Sequence, residues 1–179
     1  MTTTITTLSV LVQNSPGVLA RIAGLFARRG FNIESLSVGP TEREDQSRMT
    51  IVALTPDEAT LEQITKQLNK LVEVIKIIEM EKGKAVRREL ILVKIHAEAD
   101  TRAQVLGLVD TFRGKVVDVA ADSLIVEVTG KYGKVHAFLD MIAPYGIKEL
   151  VQSGSVALAR GSKTITDKSK FDRTPRDKS

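Results

Sequence analysis

The apolar positions of the first 80 residues switch between a period of two and a period near that of a helix. In "TITTLSVLV", residues 4–12, the side chains of Leu8, Val10 and Val12 fall on one face, which predicts a half-buried strand. The segment "GVLARIAGLFARRG", residues 17–30, has the spacing of an amphipathic helix and ends at a glycine, as helices commonly do. The buried stripe predicted for this helix consists of Val18, Ile22, Leu25 and Phe26.

Two strands, a helix and a last strand complete this half. The segments "FNIESLSVG" and "SRMTIVAL" predict strands on either side of the polar loop "PTEREDQ". The next helix is predicted to begin in a capping box, with Thr55 as the N-cap, Pro56 as the first helical residue and Glu58 as the third. "VIKIIEM" predicts the closing strand. The apolar stripe predicted for the helix consists of Ile64, Leu68, Leu71 and Val72.

The second half repeats the same succession with one added strand. "LILVKIHA" predicts a strand, and "TRAQVLGLVDTF" predicts a helix with Thr101 and Gln104 as a second capping box. "KVVDVA" and "LIVEVTG" predict a hairpin that turns at residues 121–123. "YGKVHAFLDMIAPYG" predicts a helix that Gly146 ends, and "IKELVQSG" and "SVALAR" predict the last strands.

Each half therefore has the order β-α-β-β-α-β, and the sequence predicts an α+β protein made of two tandem ferredoxin-like (βαββαβ) domains. The first is expected at 1–80 and the second at 90–161, with the charged segment 81–89 as a linker. Residues 162–179 are expected to be a polar, basic and disordered tail. Because a small four-stranded sheet leaves edges unpaired, we expect a homodimer or a larger assembly.

Composition removes several classes of chemistry. The chain has no Cys and two His, so thiolate catalysis, disulfides and a metal site are not expected. Residues 160–179 carry seven basic and three acidic residues, which accounts for the whole net charge of +4. No apolar run reaches the length of a signal sequence or a membrane span, so we expect a cytoplasmic protein without a membrane partner.

The start of the first helix is the candidate for ligand binding. A helix N-terminus favours anions because its N–H groups are free and its dipole is positive there. Gly17 lets a ligand approach the backbone, and the Asn14 and Asn32 amides each offer donors and an acceptor to a carboxylate and an ammonium group. The alternative is a structural role, with Asn14 or Ser15 as an N-cap before Pro16. Residue chemistry alone leaves both interpretations open.

The motifs "RRGFNIESL" and "SRMTI", together with "N-x-x-G-V-L-x-R" at the helix start, resemble the regulatory small subunit of acetolactate synthase, also called acetohydroxyacid synthase. "QLNKLVEVIKI", "RELILVKI", "FRGKVVDV" and "SGSVALARG" extend the resemblance over residues 5–161. The resemblance implies that the first domain is an ACT domain, a small-molecule sensor. It also implies that the chain has no catalytic residues and no cofactor of its own.

Members of that family associate with a large catalytic subunit that uses thiamine diphosphate, Mg and FAD. The catalytic subunit joins two pyruvates to form 2-acetolactate in branched-chain amino acid biosynthesis. The small subunits raise its activity and confer feedback inhibition by valine. The resemblance implies an effector site between two ACT domains. Asn14 and Gly17, with Pro16 between them, match positions that hold the polar end of the amino acid. Asn32 and Ile33 match positions contributed across the interface, and Val18 or Leu19 is expected beside the effector's side chain.

Two alternatives from other classes remain open at this point. An ACT sensor of a different metabolic enzyme would share the helix start at Asn14–Gly17. An RNA-binding module is suggested by paired ferredoxin-like units and a basic pI near 9.4. Against it, the predicted strands lack the aromatic residues on which RNA bases stack. We therefore expect no nucleic-acid partner.

Overall fold

The computed structural model describes residues 4–162 and 164–166. Most of the predicted basic tail, and with it the expected disorder, lies outside the described residues. The strands are β1 Thr4–Gln13, β2 Ile33–Pro40, β3 Gln46–Thr55, β4 Val74–Glu79, β5 Ala85–His96, β6 Lys115–Val119, β7 Ser123–Gly130, β8 Ile147–Gln152 and β9 Val156–Ala159. The helices are α1 Val18–Arg29, α2 Glu58–Leu68, α3 Arg102–Thr111 and α4 Tyr132–Ile142, followed by a 3₁₀ turn at Ala143–Tyr145.

The strands form two antiparallel sheets with the same order. The first sheet runs β2-β3-β1-β4 and the second runs β6-β7-β5-β8, with β9 added beside β5. Each first strand is central, and a helix follows the first and the third strand of each half. This is the ferredoxin-like arrangement, so the predicted α+β class and tandem domains are confirmed.

Each sheet has its own aliphatic core. The predicted stripe of α1 is confirmed, because its four apolar residues are all buried. The members of the first core that are at most 1% exposed are Leu8, Val10, Val12, Ile22, Phe26, Ile51, Ala53, Ile64, Leu68, Val74 and Ile77. The corresponding members of the second core are Ile91, Val93, Ile95, Ala97, Val105, Leu124, Val126, Val128, Val135, Phe138 and Ile142.

The boundary between the halves lies inside the predicted linker. Residues up to Val86, with the described ones from Ala157 onward, form one compact unit, and Arg87–Val156 form the second. Strand β5 begins at Ala85, so the linker predicted at 81–89 is too long at its C-terminal end. The first strand of the second half extends further than the apolar run because residues 85–89 pair despite their charge.

The capping box predicted at Thr55 is wrong. Thr55 is the last residue of β3 and is buried, and its hydroxyl shares a 2.7 Å hydrogen bond with that of Thr6. Asp57 is the N-cap instead: its backbone is extended and its Oδ1 accepts a 2.7 Å hydrogen bond from Thr60 N. The negative charge of an aspartate at this position also interacts favourably with the positive end of the helix dipole. Pro56 therefore precedes the helix.

Three other sequence details differ. Val72 lies beyond the end of α2 and is 78% exposed, so it does not belong to the buried stripe. Thr101 is the N-cap of α3 but its side chain caps no amide, and Gln104 Oε1 accepts from the Tyr145 hydroxyl over 3.2 Å instead. The helix predicted through residue 146 gives way to the 3₁₀ turn at Pro144, because proline lacks the N–H that an α-helical turn needs.

Asp57 gives a pH-dependent prediction. The hydrogen bond from Thr60 lowers the pKa of Asp57 below its ordinary value of 3.8. Stability from this cap is therefore complete above the ordinary pKa and is lost as pH falls through the lower pKa of the folded state. We expect Asp57→Ala to melt at a lower temperature than the parent at neutral pH and to show a smaller further loss in acid.

Thermal melts from neutral to acidic pH test this expectation. Asp57→Asn retains an acceptor oxygen without a titrating carboxyl, so its melting temperature should fall less steeply with acid than that of the parent. Glu58→Ala, in the first turn of the same helix, is the control for loss of charge without loss of the cap. Identical acid dependence of the parent and Asp57→Asn would contradict the assignment.

The two units repeat each other even in their irregularities. In the first sheet, the pairing of β1 with β4 shifts register between Leu11 and Val12. In the second, the pairing of β5 with β8 shifts between Lys94 and Ile95, at the same distance from the end of the strand. In each case the extra residue lies on the partner strand, Ile75 in β4 and Lys148 in β8, and a bulge bends the strand that carries it. Both units thus carry the same irregularity at the second residue of their last ferredoxin-like strand.

The ends of these strands are also held alike. Gln13, the last residue of β1, donates its backbone N–H to Glu73 O over 2.9 Å. His96, the last residue of β5, donates its backbone N–H to Gly146 O over 2.8 Å. In each unit the acceptor is the residue just before the last strand of the ferredoxin-like set. The β–α loops of the two units therefore begin from matching backbone positions.

Candidate functional site

The loop Asn14–Gly17 leads from β1 into α1, and Gly17 is the N-cap residue. Gly17 has φ 85°, in the left-handed region that favours glycine. No side chain caps the helix, so the alternative in which Asn14 or Ser15 acts as an N-cap is wrong. The start of α1 keeps a positive dipole end and a Val18 N–H held only by a 3.5 Å bond to Ser15 O, and both suit an anion.

Asn14 is tied to the loop between β2 and β3. Its backbone N–H donates to Asp45 O over 2.8 Å, and its side-chain Nδ2 donates to Glu44 O over 3.1 Å. A primary amide has two N–H donors and an acceptor oxygen, so the side-chain bond uses one donor. The residue is exposed, and the bond restrains the orientation of its side-chain amide.

The β2–β3 loop is itself ordered by its own side chains. Thr41 Oγ1 accepts from Arg43 N over 3.1 Å, and Arg43 Nε donates to Asp45 Oδ1 over 3.2 Å. The hydrogen bond from Arg43 holds the pKa of Asp45 below its ordinary value of 3.8. The carboxylate is therefore ionised at neutral pH and accepts the Arg43 hydrogen bond within the loop that contacts Asn14.

An ion pair beside the helix start was missed by the sequence analysis. Arg21 Nη1 lies 3.1 Å from Glu73 Oε1, and the Glu73 side chain is only 14% exposed while that of Arg21 is 58% exposed. A β-carbon added to Gly17 would lie 3.9 Å from Arg21 Nη2, so the guanidinium stands next to the helix start. The signal in the sequence was the spacing, because Arg21 is four residues after Gly17 and so lies one helical turn further along.

The structure does not bring all the predicted site residues together in one chain. Asn14 and Gly17 lie before α1, whereas Asn32 and Ile33 follow its other end. A helix rises about 1.5 Å per residue, so the ends of this 12-residue helix are about 18 Å apart. One amino acid cannot touch both ends of α1 in the same chain.

The apolar candidates differ in exposure. Val18 is 4% exposed and belongs to the first core, so its side chain points away from the loop, whereas Leu19 is 44% exposed. Leu19 is therefore the better placed of the two to meet an effector's side chain. Ile33 is partly buried against the same core and opens the edge strand β2, and Pro16 is exposed in the loop.

The remaining polar candidates do not gather into a site. In the described ranges, no group of three His, Cys, Asp or Glu side chains is arranged to hold a metal ion. His96 Nε2 lies 3.4 Å from Glu98 Oε1. The His136 ring stacks on that of Tyr132, with the ring centroids 3.9 Å apart. Among the helices that the structure describes, none is long and apolar enough to cross a membrane.

Comparison with known proteins adds the family. Residues 8–76 match the sequence model described as "AHAS small subunit-like ACT domain", and residues 88–161 match the one described as "Small subunit of acetolactate synthase". The chain belongs to the acetolactate synthase small subunit family. The sequence resemblance is thereby confirmed, and the alternatives of a sensor for another enzyme and of an RNA-binding module are set aside.

Relatives cover most of the chain. The acetolactate synthase small subunit of Mycolicibacterium smegmatis is 56% identical over 89% of this chain and 93% of its own length. That of Mycobacterium bovis is 57% identical over 89% of this chain and 94% of its own length. The crystal structure of the small subunit from Thermotoga maritima aligns with a TM-score of 0.82, at 40% identity, over 89% of this chain and 99% of that chain. The acetolactate synthase small subunit fold therefore extends over both units.

Proposed function

We propose that this small subunit activates a thiamine-diphosphate-dependent catalytic subunit and makes it sensitive to valine. The observation that carries the proposal is the uncapped start of α1, with Asn14 and Arg21 on either side of Gly17. The helix N–H groups and the Arg21 guanidinium suit a carboxylate, and the Asn14 side-chain oxygen suits an ammonium group. A free amino acid carries both groups on one carbon.

The site is completed by a second copy of the chain. Asn32 and Ile33 lie about 18 Å from the helix start in their own chain, so they serve a site only across an interface. Asn32 precedes β2 and Ile33 is its first residue; β2 is the edge strand of the first sheet, and its Val38 is 46% exposed. A homodimer that joins two such edges brings the start of α1 from one protomer to Asn32 and Ile33 of its partner.

Inhibition follows if valine favours one arrangement of this dimer. A ligand shifts an equilibrium only by its difference in affinity for the two states. Couplings between sites are typically about 1–3 kcal/mol, which corresponds to roughly 5–150-fold in affinity. Valine bound at the seam needs no contact with the catalytic centre, which belongs to the other subunit.

The cofactors of the reaction belong to that partner. We propose that thiamine diphosphate, Mg and FAD are bound by the catalytic subunit and that this chain binds none of them. The chain's own residues supply an effector site and a surface for the partner, and we place the complex in the cytoplasm. The ordered β2–β3 loop, residues 41–45, is a candidate for contact with the catalytic subunit, because ordered loops often carry recognition.

Titration of purified catalytic subunit with this chain tests the proposal. Formation of 2-acetolactate should rise to a plateau as the chain is added, and valine should lower that plateau while leaving the catalytic subunit alone unaffected. A rise without valine sensitivity would retain activation and contradict the effector assignment. No rise at all would contradict the proposed activation.

A further inference from the structure

The second unit has a counterpart of the candidate effector loop. Ala97, the first residue after β5, donates its backbone N–H to Asp122 O over 2.9 Å. Asn14, the first residue after β1, donates to Asp45 O over 2.8 Å. Each acceptor is the residue just before the third strand of its unit. The loop that follows β5 therefore stands where the effector loop stands in the first unit.

The guanidinium group of Arg102 occupies the loop that follows β5. Arg102 Nη2 donates to Ala97 O over 2.9 Å and to the carbonyls of Ala120 and Ala121 over 2.6 Å each. Its Nε donates a further bond to Ala97 O over 3.2 Å. One side chain thus holds the β5–α3 loop against the β6–β7 turn. Asn14 makes the corresponding link in the first unit with a single side-chain hydrogen bond, to Glu44 O.

The backbone amides at the start of α3 are also engaged. Thr101 N and Arg102 N both donate to Glu98 O, over 3.2 and 2.8 Å. At the start of α1, the corresponding bond from Val18 N to Ser15 O is 3.5 Å long. The loop of the second unit closes on itself, whereas that of the first leaves its helix start less satisfied.

The two loops also differ in the charge of the ligand that each can bind. The second presents three converging carbonyl oxygens, which accept hydrogen bonds and attract a cation. A carboxylate placed among them would meet acceptors without a donor. We propose that Arg102 is the built-in occupant of this loop, so that each chain takes a free amino acid only at its first unit. The proposal rests on the proposed function for the identity of the effector, and on the contacts of Arg102 for the closed second loop.

Chemical rescue tests the occupant. We expect Arg102→Ala to lower the melting temperature, because it leaves three carbonyls without their donor, and we expect methylguanidinium, added well below denaturing concentrations, to recover much of that loss. Arg28→Ala, an exposed arginine on α1, is the matched control that methylguanidinium should not stabilise. Arg102→Lys, with a single charged nitrogen, should melt between Arg102→Ala and the parent and should gain little from methylguanidinium. Equal responses of the Arg28 and Arg102 variants to methylguanidinium would overturn the proposal.

Calorimetric titration with valine tests the site count. The parent should bind one valine per chain, Asn14→Ala should lose this binding, and Arg102→Lys should keep both the stoichiometry and the affinity. Two valines per chain in the parent, with one lost on changing Arg102, would overturn the inference while leaving an effector function in place. No binding to the parent would contradict the proposed function, and the methylguanidinium result would still decide whether Arg102 fills the loop.

Discussion

Inhibition by valine is expected to disappear when Gly17 is replaced by Asp, while activation of the catalytic subunit persists. A side chain at this residue, which has φ 85°, costs about 1–2 kcal/mol because its β-carbon is crowded in the left-handed region. The added β-carbon would lie 3.9 Å from Arg21 Nη2, so the new carboxylate competes for the guanidinium and the helix N–H groups. A negative charge at the helix N-terminus also interacts favourably with the helix dipole, so the variant should still fold.

Acetolactate formation by reconstituted enzyme, measured over a range of valine concentrations, checks this. Gly83→Asp is the matched control, because Gly83 has a similar φ of 82° and lies outside the strands and helices, with nothing within 4 Å of an added β-carbon. It should keep both activation and inhibition. Gly17→Ala introduces strain without charge and should weaken inhibition less than Gly17→Asp. Inhibition of the Gly17→Asp enzyme at parental valine concentrations would show that the effector binds elsewhere.

Two variants that each fail to bind valine as homodimers are expected to form a mixed dimer in which one of the two valine sites is intact. Asn14→Ala and Asn32→Ala chains should each fail to bind valine as homodimers. The seam of the mixed dimer contains two sites, one that combines both changes and one that combines an intact Asn14 with an intact Asn32. The expectation follows from the separation of about 18 Å between the two ends of α1, which excludes a site within one chain.

Co-expression of the two variants with different affinity tags, followed by tandem purification, isolates the mixed dimer for calorimetry. It should bind one valine per two chains with near-parental affinity. Two Asn14→Ala chains carrying the same pair of tags are the control and should bind none. A mixed dimer that binds no valine would contradict a shared site, and an assembly that light scattering shows to be a monomer would contradict the seam itself.

The fold was predictable because both halves follow simple periodicities. Val18, Ile22, Leu25 and Phe26 recur at helical spacing and are buried. The charged segment 85–89 was misassigned, because polar residues give no strand signal until their partners are known. The position of the second helix start was missed for a similar reason: Thr55 has the chemistry of an N-cap, but β3 extends through it to pair with Thr4.

The candidate site was predictable in part. The chemistry of the helix start indicated Asn14, Gly17 and Asn32, the resemblance added Ile33, and the structure places these residues at the two ends of one helix. The spacing places Arg21 one helical turn after Gly17, but only the structure shows that its guanidinium stands beside Gly17. The role of Arg102 depends on carbonyls 18 and 19 residues away, and a side chain that bonds backbone atoms carries no sequence signature at the acceptor.

The matching backbone hydrogen bonds at the ends of β1 and β5 allow the effect of a ligand on the two units to be compared within one molecule. The amide protons of Gln13 and His96 donate equivalent bonds in the same molecule, over 2.9 and 2.8 Å. Their hydrogen–deuterium exchange rates share one temperature, one solvent and one protein concentration. The ratio of the two rates is therefore free of errors in those conditions, and a change in it on adding an amino acid shows that the two units respond unequally.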